Sequence, residues 1–362
     1  MTYQEYIQQT RELIRTTRVD FASKSPEDIA KTINANAPNE SSPPTPANHG
    51  ILLIHGLTSS PMGMSSLFDY FSHRNYLVRS LLLPGHGTHP KDLLNVKYQD
   101  WLEACRFGIE TLRKEVEHVS VITFSAGSAL AIYLSLTEAS IDSLVLLAPA
   151  LSLKHPFSSY YIPLFYPLRN CFAKINWPIV KEEDDYAKYQ SIPINAIYQV
   201  TRLMKAIGKI NHPLTPPLYI ASTIDDETIS HREAINFFLK QPNPLNRGII
   251  YSTHPPKTLL SSRFTQRSSY YPQEKILDFS HTCLAVSPLH PHYGKKGDFT
   301  DFTHYHPRKK QEHSHHSLIH HGSISKKNLS NHHMRRLSYN PDFDYMAADI
   351  DKFLQACFHS DI

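Results

Sequence analysis

The sequence predicts an α/β fold: a mostly parallel sheet flanked by helices, with an inserted segment in its middle and a polar, His-rich insertion near the carboxyl end. Three observations carry this. Short apolar runs at Gly50–Ile54, Val78–Leu83, Val119–Phe124, Ser143–Ala148, Pro217–Ser222 and Arg247–Ser252 read as strands buried on both faces. Helix-period segments lie between several of them. One run, Val119–Phe124, passes through Ser125 directly into Ala126–Leu134, a good helix former, so strand meets helix across a tight turn.

At such a turn the serine hydroxyl is pushed out at the carboxyl edge of the sheet, with a helix N-terminus behind it, and Ser125 becomes a candidate nucleophile. The sharp turn asks for small residues two before and two after the serine. Gly127 meets the second requirement, while Thr123 stands where G-x-S-x-G has glycine. A buried serine at an ordinary strand end would explain these five residues equally well, so the remainder of the chain decides.

Composition bounds the answer. The 362 residues are 41% hydrophobic and 19% charged, and no apolar run approaches the length of a membrane helix. The polar start Met-Thr-Tyr-Gln-Glu-Tyr lacks the basic and apolar regions of a secretory signal, so a soluble, cytoplasmic protein is expected. Cys105, Cys171, Cys283 and Cys357 are far apart and predict neither disulfides nor a cysteine metal site. The net charge of +4 is concentrated in one late segment, which argues against nucleic acid as a partner.

Taken in order, residues 1–49 hold an amphipathic helix, with Tyr3, Tyr6, Ile7, Thr10, Leu13 and Ile14 at helical spacing, and a proline-rich linker over 34–49. The first half of the core, 50–150, opens with a strand ending in His55-Gly56-Leu57. There the Leu57 N–H, with the Ala126 N–H after the serine, is positioned to form an oxyanion hole. His86 and His89 sit among glycines and proline and read as structural hydrogen-bonders rather than metal ligands. Trp101, Cys105, Ile109, Leu112 and Val116 mark a helix covering one sheet face.

The motifs G-I-L-L-I-H-G-L, L-L-L-P-G-H-G-T, T-F-S-A-G and L-V-L-L-A-P-A, in this order and spacing, resemble the α/β-hydrolase superfamily, in its carboxylesterase and monoacylglycerol lipase (lysophospholipase-like) branch. The resemblance spans about residues 50 to 285 and resumes in the last helix. It implies that 151–213, rich in aromatics such as Phe157, Tyr160, Tyr189 and Tyr198, is a lid, with most of these rings forming its own core and a minority lining a pocket. In the second half of the core, 214–293, an acid is expected after the strand Pro217–Ser222. The D-E-T-I register resembles the family's Asp-x-Thr-Val and favours Asp226 over Asp225. Two histidines compete for the base. His281, within Ser280-His281-Thr282, is similar to the family's setting and is preferred to His254, which precedes two prolines; Lys257–Gln273 then becomes a surface excursion.

Residues 294–337 hold nine of the 23 histidines and several basic pairs, and read as a mobile insertion. His313–His316 and His320–His321 offer weak metal binding or contact with an anionic membrane surface, although a solvated polar loop is the simpler account. The final stretch, 338–362, is a helix capped at Asn340-Pro341, with Phe343, Ala347, Ile350, Leu354 and Cys357 on one face.

Three functions follow as expectations. The first is a serine ester hydrolase, with Ser125, Asp226 and His281 as triad, Leu57 and Ala126 as oxyanion donors, a small-molecule acyl ester or lipid as substrate, and no cofactor or metal. The second is a peptidase or amidase on the same scaffold, for which the acidic run Glu182–Asp185 would hold a substrate amine. The third is a non-catalytic binding module in which the His-rich insertion carries the function.

Overall fold

The computed structural model describes residues 1–138, 141–254, 261–299, 303–304 and 319–358, leaving aside the side chains of 156–160 and 303–304. Capping residues fix where the chain first turns helical. α1 (Tyr3–Thr17) begins behind Thr2, whose hydroxyl accepts the Glu5 N–H while the Glu5 carboxylate accepts the Thr2 N–H. α2 (Pro26–Asn36) follows behind Ser25, with proline in its first turn. The apolar face of α1 docks on the sheet through two phenols: Tyr3 donates to the Ser80 carbonyl at 2.8 Å and Tyr6 to that of Leu82 at 2.9 Å. The proline-rich stretch expected as linker contributes a two-residue strand, β1 (Asn39–Glu40).

The chain then winds through β2 (His49–Ile54), α3 (Ser65–Ser72), β3 (Leu77–Ser80), α4 (Tyr98–Arg113), β4 (His118–Phe124), α5 (Ala126–Thr137) and β5 (Ser143–Leu147). Three helices, α6 (Pro156–Phe165), α7 (Ala173–Asn176) and α8 (Ile194–Ile207), separate β5 from its sheet neighbour β6 (Leu218–Thr223). α9 (His231–Leu239), β7 (Arg247–Ser252) and β8 (Phe264–Ser268) complete the main sheet, whose order is β1-β3-β2-β4-β5-β6-β7-β8. Its pairings are parallel except that of β1 with β3. Side chains two apart share a face, and both faces are covered. Leu52 and Ile54 pack with Trp101 and Leu130, whereas Ile51 and Leu53 pack with Leu67 and Phe71 on the opposite side. A strand buried on both sides has no polar alternation, which is why these runs are continuous in sequence.

Two expectations are corrected. The excursion expected over Lys257–Gln273 contains β8, an edge strand paired in parallel with β7; its residues Thr265–Ser268 are polar and partly exposed, and only Phe264 is buried, so no apolar run announced it. Residues 255–260 lie outside the described residues. The insertion expected to be mobile is folded over 319–337. β9 (Thr303–His304), β10 (Ile319–Gly322), α10 (Lys326–Asn331) and β11 (His333–Arg336) form a second sheet of order β10-β11-β9. Its cohesion is mainly polar. The His321 carbonyl accepts the Leu277 N–H at 2.9 Å and the His321 N–H reaches the Lys275 carbonyl at 2.8 Å. The Asp278 carboxylate accepts from the Ser323 N–H at 2.6 Å and the Asn328 amide at 2.8 Å. Met334 and Leu337 are its fully buried apolar anchors. His320 and His321 belong to β10; His313–His316 lie outside the described residues.

The last helix, α11 (Phe343–Phe358), buries Phe343, Met346, Ala347, Ile350, Phe353 and Leu354 against the sheet. Its Asp349 accepts the Tyr219 hydroxyl at 2.8 Å. Among the described residues no helix is long and apolar enough to cross a membrane.

The amino-terminal edge depends on one buried cation. Arg79 of β3 is 1% exposed, pairs with Glu40 of β1 and with Glu115, and lies 4.4 Å from the centre of the Tyr3 ring. Arg79→Ala leaves Glu40 with only the Gln4 amide and no cation, and is expected to cost about 3 kcal/mol, read as a lowered urea midpoint at unchanged m value.

Candidate active site

The site is assembled around a strained residue. Ser125 has φ 53° and ψ −113° between β4 and α5, a conformation a non-glycine residue holds only when its surroundings enforce it. The enforcement is visible at Gly127, where a Cβ would fall 2.7 Å from the carbonyl oxygens of both Ile54 and His55. β2 and the start of α5 therefore meet closely, and only glycine fits between them. Thr123 fits the other side of the turn because its neighbour is small. Its hydroxyl lies 2.8 Å from that of Ser128 and donates to the Val145 carbonyl at 3.1 Å, so the departure from glycine leaves no buried polar atom unsatisfied.

The Ser125 hydroxyl lies 2.9 Å from His281 Nε2, and His281 Nδ1 lies 2.7 Å from Asp226 Oδ2. The Asp226 Oδ1 accepts the Thr228 and Ile229 N–H groups at 2.8 Å each. Burial alone would raise this carboxyl, but the facing imidazole and the two amides hold it below its ordinary value. The neighbouring Asp225 turns away, accepting from the Ser269 hydroxyl at 2.8 Å, and burial raises it. His254 lines a different cleft with Lys154, Asp225 and Asp278, so of the two competing histidines it is His281 that reaches Ser125.

Several supports were not legible in sequence. Leu337, at the end of the insertion, accepts the hydroxyls flanking the histidine, Ser280 at 2.5 Å and Thr282 at 3.3 Å. Glu227 accepts the His281 N–H at 3.0 Å through one oxygen and pairs with Arg336 of β11 at 2.6 Å through the other. On the opposite side His55, 1% exposed, points Nδ1 at the Gly56 carbonyl at 2.8 Å and accepts the Leu83 N–H on Nε2 at 3.1 Å. Burial and the adjacent His86 keep it neutral, far below the usual imidazole value. The loop carrying Leu57 is thereby tied to the segment that follows β3. The Ala126 N–H opens α5 and belongs to the first turn, whose amides have no partner within the helix. Leu57 and Ala126 line the same cavity as Ser125 and His281.

That cavity measures about 400 Å³ and is walled by Phe124, Leu153, Ile192, Val200, Met204 and Val286, among others. Of the aromatics between β5 and β6, Tyr189 lines it, donates to the Gly85 carbonyl at 3.1 Å and accepts the Thr88 N–H at 2.9 Å. Tyr161, Phe165 and Phe172 are exposed, and the side chains of Phe157 and Tyr160 lie outside the description. The acidic run does not face the cavity. Glu183 accepts the Gln190 and Ser191 N–H groups at 2.9 and 2.7 Å, and Asp185 is buried against Tyr293 at 2.9 Å and His292 at 3.2 Å. His86 and His89 are both used locally: His86 Nδ1 approaches the Leu83 carbonyl at 3.1 Å, and His89 accepts the Lys91 N–H at 3.0 Å.

A family model described as Hydrolase_4, serine aminopeptidase, S33, matches residues 45–253, more than half of the chain. The chain belongs to this family. It is thus a serine hydrolase of the α/β-hydrolase fold, as the motifs implied, and the match includes Ser125 and Asp226 but ends before His281 and the insertion. The hydrolase is 26% identical to a thermostable monoacylglycerol lipase of Bacillus sp. (strain H-257) over 181 residues, covering 49% of this chain and 70% of the relative. It is 23% identical to a carboxylesterase of Bacillus subtilis (strain 168) over 186 residues, covering 51% and 74%. A solved monoacylglycerol lipase from Paleococcus ferrophilus superposes with a TM-score of 0.48 at 17% identity, over 59% of this chain and 88% of that one.

Burial pushes the His86 imidazole down to about 4. Unfolded, it would titrate near ~6.5, so the folded state binds fewer protons and stability is full above that value and lost as pH falls towards 4. His86→Gln removes this dependence. Between pH 7 and pH 5 the parent is expected to lose about 2 kcal/mol that the variant keeps, measured by urea unfolding at both values.

Proposed function

We propose that the hydrolase cleaves carboxylic esters with apolar acyl chains through an acyl-enzyme on Ser125. The observation that carries this is the unbroken hydrogen-bonded series Asp226, His281, Ser125, opening onto an apolar cavity. Ser125 Oγ attacks the ester carbonyl while His281 Nε2 takes its proton. The resulting oxyanion is held by the Leu57 and Ala126 amides, and collapse expels the alcohol, which leaves with the proton from His281. Water, activated by the same imidazole, then releases the acid and restores the serine. Asp226 keeps Nδ1 protonated and stabilises the imidazolium as it forms. The helices between β5 and β6 act as a cap that shields the acyl chain from water.

The description of the family favours a second reading, a peptidase that recognises a free amine. That reading needs an acid in the pocket. Among the described residues no carboxylate lines the cavity, and the acidic run Glu182–Asp185 contributes none of its members to the lining. An ester, which brings no cation needing an acid, fits these walls better.

Ser125→Ala is expected to abolish both labelling by a fluorophosphonate and hydrolysis of p-nitrophenyl esters, and turnover persisting in that variant would overturn the assignment. Asp226→Asn keeps the shape but disrupts the tautomer, with kcat expected to fall by a factor on the order of 10⁴. Comparing p-nitrophenyl esters with aminoacyl p-nitroanilides tests the choice between the two readings; faster cleavage of the amides would reverse it.

A further inference from the structure

Among the described residues, the lysine and arginine side chains that line the cavity have no carboxylate beside them in the lining. They are Lys181, Lys188 and Arg336. These cations come from separate places. Lys181 and Lys188 belong to the segment between β5 and β6, with Lys188 next to Tyr189, whose N–H donates to the Thr58 carbonyl at 2.8 Å beside the Leu57 loop. Arg336 arrives from β11, in the insertion beyond the family match, and stands on the histidine side. The remaining walls are largely apolar, so the cavity offers cationic positions along with room for a hydrocarbon chain.

Arg336 has more donors than its visible partner uses. A guanidinium carries five N–H groups in a rigid fork suited to carboxylate or phosphate. The pairing with Glu227 is made through Nη2, while Nε is shielded from solvent and has no acceptor among the described residues. A buried donor left without a partner costs free energy that a bound anion would recover. Glu227 has its other oxygen on the His281 N–H, so the pair is held beside the reacting centre rather than swinging in solvent. A neutral ester would gain nothing from this arrangement, and a cationic one would be repelled.

We propose that the substrate is an anionic amphiphile: an acyl ester carrying a phosphate or carboxylate near the scissile bond, with Arg336 as the specificity-determining residue and Lys181 and Lys188 completing the cationic rim. This rests on the ester-hydrolase reading above. Phosphate and carboxylate share the required chemistry, and the test separates them.

The full-length hydrolase is assayed with three hexanoyl esters, short enough to remain monomeric: 1-hexanoylglycerol, its 3-phosphate, and hexanoyl glycolate. At low salt, kcat/KM for at least one anionic ester is expected to exceed that for the neutral one by about tenfold or more, the scale of one charge-assisted hydrogen bond. The advantage should shrink with added salt, as the exposed Lys181 is screened. Which anionic ester is preferred identifies the group. Arg336→Gln is expected to remove most of the anionic-to-neutral ratio, chiefly through KM. Arg336→Lys should retain part of the ratio, and Lys188→Gln should lower it by a smaller factor. Equal or better use of the neutral ester by the parent overturns the proposal. So does an Arg336→Gln variant that loses both classes by the same factor, since Arg336 would then act only through Glu227 on the histidine loop. Failure to hydrolyse any of the three, or any p-nitrophenyl ester, overturns the ester-hydrolase reading itself.

Discussion

The close approach of β2 to the first turn of α5 is the constraint on which the rest depends. Gly127 allows the carbonyls of Ile54 and His55 to sit where any side chain would be, and the chain between strand and helix has so little length that Ser125 must take a positive φ. Its hydroxyl is therefore presented at the carboxyl edge of the sheet, and the Ala126 amide is left facing the same cavity. The cost of the strained backbone, of order 1–3 kcal/mol for such a residue, is offset by two fully buried layers on either side of β4. Thr123 belongs to the same economy of space: with Ser128 opposite, a β-branched residue fits where the usual pattern has glycine, and both hydroxyls are satisfied.

The histidine side is built differently. Ser125 is held by steric contact inside the sheet, whereas His281 is held by polar contacts from loops. Its ring is oriented by Asp226, its backbone by Glu227, and its flanking hydroxyls by the carbonyl of Leu337. Two of these supports lead to the insertion, because Arg336 pairs with Glu227 and Leu337 lies next to it in the chain. The folded part of the insertion is thus coupled to the imidazole without contributing a group to the hydrogen-bonded series Asp226, His281, Ser125.

What could be read from sequence follows from how each part is stabilised. Strands buried on both faces leave continuous runs, so β2 to β7 were legible, and the turn at Ser125 with them. The separation of Asp226 from Asp225, and of His281 from His254, came from motif resemblance, since nothing in composition distinguishes adjacent acids or two loop histidines. β8 was hidden because an edge strand with Thr265, Gln266 and Arg267 needs only backbone partners on one side. The insertion was misread for a related reason. Its sheet is anchored by Asp278, by the backbone of Lys275 and Leu277, and by two apolar residues, none of which produces a hydrophobic period. Arg336 and Glu227 meet across the whole second half of the core, a separation that no local pattern records.

The placement of Leu337 and Arg336 also bears on how the molecule comes into being during synthesis. Ser125, Asp226 and His281 all precede β11 in the chain, and Asp226 and Glu227 reach the histidine without it, yet the Ser280 and Thr282 hydroxyls gain the Leu337 carbonyl, and Glu227 its Arg336 partner, only when β11 docks. Contacts spanning so much sequence form slowly, after the loop-closure entropy has been met. A chain halted before β11 would therefore hold its parallel core while the loop around His281 lacked the Leu337 and Arg336 contacts.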